Sequence, residues 1–167
     1  SGQRVFLRRG PGEWRQLGVP SAFVLQPGAV RWIYRLGADV IEARVWCSRS
    51  LSASFLELRV VAGGAYEFLV THQVVIGATE FEHAARADVF DRAGWMAFQP
   101  HEESLMGRHQ IGACFALAAA EPGSLAALGG DGSLYADGME RGGPYATLRT
   151  KPVRNFGVIM LGTHAGV

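Results

Sequence analysis

The sequence predicts an all-β fold, an antiparallel β-sandwich of two packed sheets, and three observations carry that reading. Residues 30–48 (VRWIYRLGADVIEARVWCS) and 54–77 (SFLELRVVAGGAYEFLVTHQVVIG) alternate apolar and polar positions on either side of a turn signal, the period-2 pattern of half-buried strands. Hydrophobic residues make up 49% of the 167 and charged residues 19%, a balance that excludes a disordered chain and favours a well-buried sheet protein. Turn signals recur roughly every ten residues, giving about ten strands, as in sandwiches.

The elements follow in order. After the arginine-bearing start QRVFLRRGPGEW, a strand over residues 22–25 runs into the turn Gln26-Pro27-Gly28. The first hairpin pairs Leu36 with Ile41 around the turn 37–40. This register puts Trp32, Tyr34, Leu36, Ile41, Ala43, Val45 and Cys47 on one face and sets Arg35 opposite Glu42; a one-residue slip mixes charge into the apolar face. The second hairpin pairs Val60 with Tyr66, aligning Leu56, Leu58 and Val60 with Tyr66, Phe68 and Val70, with Arg59 meeting Glu67 and Gly63-Gly64 supplying the turn. A third hairpin is expected from ADVF, the turn 91–94 and WMAFQ. Residues 100–110 read as a polar loop or single helical turn. Strands resume at 111–119, 145–149 and 156–161, with a long, ordered, glycine-dense loop over 123–143, the kind of segment in which sites tend to sit.

One domain of this length holds a real core, and we read residues 1–167 as a single β-sandwich domain. A formal charge of +1 gives no bulk field for nucleic acid or an anionic membrane. No apolar run approaches the ~20 residues that cross a bilayer. Arginine supplies every basic residue but Lys151, which we read as the GC-rich codon usage of a bacterium. No secretory segment is present, so a cytoplasmic setting is favoured and Cys47 and Cys114 are expected as reduced core residues rather than a pair. Ser1-Gly2 looks like a cleavage scar, and the stop at GTHAGV directly after a strand reads as a piece of a larger multidomain protein.

Reactive chemistry is sparse. No Gly-x-Ser-x-Gly elbow occurs. His101-Glu102 opens like a zinc helix motif, but Leu105 stands where the second ligand belongs, and His101, Glu103 and His109 are expected as a solvated loop. Asp131, Ser133 and Asp137 offer oxygens at odd spacing without the glycine and glutamate of an EF-hand, so a glycine-rich turn is the better account. Glu102 and Glu103 are adjacent and cannot flank one glycosidic bond together. His72 falls on the apolar face of its strand and reads as a core histidine. Aromatics are the remaining lead. Trp14, Trp95 and Tyr135 lie near turns or strand ends and are the candidate carbohydrate contacts, with Tyr145 in a similar position; partial burial at a domain interface is the competing account.

The runs VRWIYRLGADVIEARVWCS, FLELRVV and YEFLVTHQVVIG resemble the N-terminal β-sandwich of glycoside hydrolase family 94, which includes cellobiose-type phosphorylases and the C-terminal part of cyclic β-1,2-glucan synthases of the NdvB type. The resemblance spans residues 22–161 and implies a galactose-mutarotase-like supersandwich that precedes a helical (α/α)6 barrel carrying the general-acid aspartate. That barrel has no counterpart in this sequence, so no catalytic residue, metal or cofactor is implied for it. The implied role is a non-catalytic domain of an enzyme acting on β-glucans or oligosaccharides, a phosphorylase or glucan synthase, whose parent is open to membrane association. Its partners would be the saccharide, the adjacent catalytic domain and, as an open option, a second copy. Two alternatives stand beside it: an autonomous carbohydrate-binding module, and an aldose epimerase of the mutarotase type using His72 with Glu57 or Glu67.

Overall fold

The structure is a computed structural model that describes residues 2–79, 82 and 86–164. Its strands are β1 (Gln3–Arg8), β2 (Arg15–Gln16), β3 (Ala22–Gln26), β4 (Ala29–Leu36), β5 (Asp39–Cys47), β6 (Ala53–Ala62), β7 (Glu67–Gln73), β8 (Arg86–Phe90), β9 (Trp95–Gln99), β10 (Ala113–Ala119), β11 (Leu125–Gly129), β12 (Tyr145–Thr150) and β13 (Asn155–His164). One short helix, α1 (Leu105–His109), lies in the loop before β10. The strands form an eight-stranded sheet of order β3-β4-β5-β6-β13-β10-β9-β8 and a five-stranded sheet of order β11-β12-β7-β1-β2. All pairings are antiparallel. The expected antiparallel sandwich is thus what the chain forms.

The core lies between the sheets and follows from alternation. Ile41, Leu58, Phe68, Val70, Leu117 and Leu148 are fully buried, each from a different strand or from alternate positions of one. Burying each such side chain is worth about 1.5–3 kcal/mol. The central strand of the smaller sheet, β7, is buried on both faces, with Leu69 and Thr71 covered as well as Phe68 and Val70. That double burial explains the continuous apolar run in EFLVTH.

The first hairpin keeps its predicted faces but not its predicted partners. Leu36 lies opposite Asp39 and Tyr34 opposite Ile41, because the connection is two residues long and not four. Gly37, at φ +67°, occupies its first position, which is what a two-residue hairpin with glycine leading requires. Shifting by two residues preserves every face. The charge pair changes: Arg35 faces Val40, and Glu42 instead binds Arg31 at 3.4 Å. Trp32 and Tyr34 are half-buried and pack against the core.

The second hairpin does not form. β6 pairs with β5 and β13, whereas β7 pairs with β1 and β12, so residues 63–66 carry the chain from one sheet to the other. An arch between facing sheets buries the same alternate residues as a hairpin, which is why the pattern alone misreads it. Arg59 consequently lies opposite Glu42 and Asn155, and Glu67 pairs with Arg8 at 2.8 Å. The arch is pinned by Asp39, which accepts from the Tyr66 hydroxyl and from Arg9 at 2.7 Å. A side chain at Gly63 (φ +107°) would fall on the Asp39 carboxylate.

The third hairpin forms as expected, with Phe90 opposite Trp95 across a 3-10 turn at Asp91–Ala93. Residues 100–110 hold one helical turn. The strands β1 and β11 escape the sequence reading. β1 hides under its arginines, and β11 under its glycine-rich surroundings. Cys47 and Cys114 are both free, but Cys47 is exposed at the end of β5 and Cys114 only half-buried, so the expected core placement of the first is corrected. Among the described residues no helix is long and apolar enough to cross a membrane.

Candidate saccharide groove

The outer face of the smaller sheet carries Arg8 on β1 and Arg149 on β12, and two loops rise beside it. One is the β1–β2 connection, which brings Glu13 and Trp14. The other follows the 3-10 helix Asp131–Leu134 and brings Leu134 and Tyr135. Together they bound a groove of about 670 Å³, large enough for a small oligosaccharide and within the usual range of ligand sites.

Each loop is held by its own polar contacts. Asp131 is buried, and its carboxylate accepts from the backbone N–H of Arg141 at 2.9 Å and of Gly143 at 2.7 Å. Glu140 accepts from the Gly130 N–H at 3.2 Å, so the two ends of the loop are tied across its neck. Asp137 binds the Arg141 guanidinium through both oxygens, at 2.8 and 3.2 Å. That guanidinium, helped by the Met139 N–H, holds the Asp137 carboxyl below the usual carboxylate range. Of the three residues weighed for calcium, Asp131 and Asp137 thus spend their oxygens on their own loop.

Both aromatic rings are fixed by arginine. The Arg8 guanidinium lies 4.5 Å from the Trp14 ring centre and the Arg141 guanidinium 3.8 Å from that of Tyr135, contacts worth about 0.5–1 kcal/mol each at exposed sites. Arg8 is itself oriented by Glu67. The Nε atoms of Arg8 and Arg149 are buried without a hydrogen-bond partner among the described residues, so the groove floor is under-satisfied in polar contacts. Ring faces that stack on sugar C–H groups, beside guanidinium donors and the Glu13 carboxylate acceptor for hydroxyls, form an amphipathic surface suited to a neutral polyol.

Of the predicted contacts, Trp14 and Tyr135 thus meet in one groove. Trp95 does not join them: it stacks on Phe90 with ring centres 4.0 Å apart, on the outer face of the larger sheet. Tyr145 lines a different cleft of about 290 Å³ between the sheets, with Val89 and Asp131. Arg8, Arg149 and Arg141 were not singled out from sequence. The alternation Arg4, Phe6, Arg8 against Val5, Leu7 is the signal that marks β1 and its outer face.

The other candidates stay apart. His72 points into the core, 5% exposed, with the Gln3 amide nitrogen 3.3 Å from its Nε2. Burial lowers its pKa from 6.5 to about 4. Glu67 lies on the opposite face of the same strand, bound to Arg8. Glu57 is on the other sheet, opposite Arg44 and Gly157. The geometry therefore brings neither Glu57 nor Glu67 to His72, the pairing that the epimerase alternative needs. His101 caps its own loop through the Glu103 N–H at 3.2 Å, and among the described residues no three metal-ligating side chains converge.

Comparison with known proteins bears on this geometry. The family model described as "Glycoside phosphorylase supersandwich domain" matches residues 1–162. A stretch of 104 residues, 62% of this chain, is 26% identical to a 1,2-beta-oligoglucan phosphorylase of Listeria innocua serovar 6a. That stretch spans 9% of the relative's own length.

Proposed function

We propose, on the premise that this chain belongs to the glycoside phosphorylase supersandwich domain family, that it is the saccharide-contacting, non-catalytic sandwich of an enzyme acting on β-glucans or related oligosaccharides. It braces a separate catalytic domain and offers the groove between Trp14 and Tyr135 to the sugar chain. One observation carries this reading: two aromatic residues from loops more than a hundred residues apart are brought to one groove, each ring backed by a guanidinium. Rigid, pre-oriented rings lose little entropy on binding. The relative's printed substrate makes a β-1,2-linked oligoglucan the first ligand to try.

Calorimetric titration of the chain with linear β-1,2-oligoglucans, and with β-1,4-oligoglucans as the comparison, tests the groove. Binding is expected, and Trp14→Ala or Tyr135→Ala weakens it about tenfold, the equivalent of about 1.4 kcal/mol. Trp95→Ala leaves it unchanged. Heats that are absent across the panel, or that survive both groove substitutions, count against the groove as the sugar site. Glucose 1-phosphate released from the oligoglucan and phosphate by the chain alone would show it to be catalytic.

A further inference from the structure

Each sheet has two edges, and three of the four are protected against pairing. β8 carries Asp88, β2 is two residues long and includes Arg15, and β11 shifts register between Leu125 and Ala127. Charge, short length and bulges are the devices that keep a free edge from joining another strand. β3 has none of them. Its five residues, AFVLQ, hold no charge and no proline, and they pair with β4 in unbroken register from Ala22 opposite Ile33 to Gln26 opposite Ala29. Among the described residues no strand pairs with its other edge.

Apolar side chains stand beside that open edge. Phe23 lies opposite Trp32 and Leu25 opposite Val30, so both share the inner face with Trp32, whose ring centre is 5.9 Å from that of Phe23. Trp32 packs against the core and, with Leu17 and Tyr34, lines a cleft of about 190 Å³ at the margin of the smaller sheet. One strand further out that cover is gone: Phe23 is 56% and Leu25 73% exposed.

We propose that β3 pairs antiparallel with β3 of a second copy of this chain across a two-fold axis, joining the two eight-stranded sheets edge to edge. The register names the occupant. A two-fold axis at Val24 is the one centre at which all five residues pair: Val24 meets Val24 of the copy, Phe23 meets Leu25, and Ala22 meets Gln26. Both Phe23–Leu25 pairs then form on the face where these side chains stand exposed, and an aromatic beside a branched aliphatic is a favourable cross-strand pair. No like charges meet at the axis, because the strand carries none. The contact is isologous and closes at two copies, whereas β3 laid against β8 would be heterologous and would continue into an open polymer. That alternative would also bring Asp88 against an uncharged strand, at a desolvation cost. A five-residue pairing is a small interface, so the dimer is weak and depends on concentration.

Sedimentation equilibrium of the chain tests this, and between about 10 µM and about 1 mM it should pass from monomer to dimer. Phe23→Lys with Leu25→Lys sets like charges opposite each other and should raise the dissociation constant at least about tenfold. Phe23→Lys with Leu25→Glu sets opposite charges across the same seam and should restore the dimer. All three substituents stand on exposed positions, and thermal melts of the variants confirm that each still folds. Oxidative cross-linking reads the register, in a background of Cys47→Ser and Cys114→Ser. Val24→Cys, facing its own copy at about 5 Å between Cα atoms, should form a disulfide. Ala22→Cys, about 13 Å from its copy along the strand, should not. A chain that is monomeric throughout overturns the proposal, as does a dimer indifferent to both double variants. So do equal cross-linking at residues 22 and 24, and growth beyond two copies. A longer polypeptide that stays monomeric where this chain dimerises also overturns it, because its own segments then cover β3. None of these outcomes bears on the saccharide groove, which lies on the other sheet.

Discussion

Burial of His72 makes the stability of this fold depend on pH on the acid side. With its pKa lowered from 6.5 to about 4 by burial, the unfolded chain takes up a proton there across that interval while the folded chain does not. The stability contributed by the neutral imidazole is full above pH 6.5 and is lost as pH falls to about 4, about 3 kcal/mol in all. Urea melts of the chain should therefore weaken steadily through that window, and His72→Gln should flatten the slope; parallel slopes would show that His72 is not the group responsible. Asp39, depressed first by the Tyr66 hydroxyl and then by Arg9, and Asp137 are shifted in the same direction, downward, but from a lower starting value. Their contributions are present above the ordinary carboxylate pKa of 3.8 and disappear only below it. The two windows are therefore separable. At this scale the sequence was informative: alternation alone sends His72 inward. It was silent on Arg8 and Arg149, whose role depends on loops folding over them.

Elements were read well where contacts are local and poorly where they are not. The Phe90–Trp95 hairpin is legible because its turn and both strands lie within residues 86–99. β6 and β7 are not, since their partners are at residues 39–47, 155–164, 3–8 and 145–150, and the buried pattern is the same for arch and hairpin. The arch makes its own prediction. Gly63→Ala puts a β-carbon at φ +107° and onto the Asp39 carboxylate, which costs about 1–3 kcal/mol of backbone strain and disturbs the Arg9–Asp39–Tyr66 contacts. Thermal melting should show that loss, and Gly64→Ala, where φ is not positive and nothing nearer than 3.5 Å is met, should melt close to the parent chain. Equal losses at both positions would mean that the arch is not pinned at residue 63.

On the scale of the whole molecule the two sheets present different outer faces. The smaller sheet carries polar floor residues between two ring-bearing loops; the larger carries a row of apolar side chains, among them the stacked pairs Trp46–Phe55 and Phe90–Trp95. The proposed saccharide-contacting role uses the first of these faces. The fold class and the family were legible from strand texture. The faces were not, because which strands neighbour one another decides them, and that order is set by pairings between segments far apart in the sequence. The most direct measurement is steady-state phosphorolysis of β-1,2-oligoglucans by the longer polypeptide carrying Trp14→Ala and Tyr135→Ala together. A groove that binds sugar without reacting predicts a KM raised about tenfold with kcat within about twofold. A fall in kcat at unchanged KM, or no change in either constant, would contradict it.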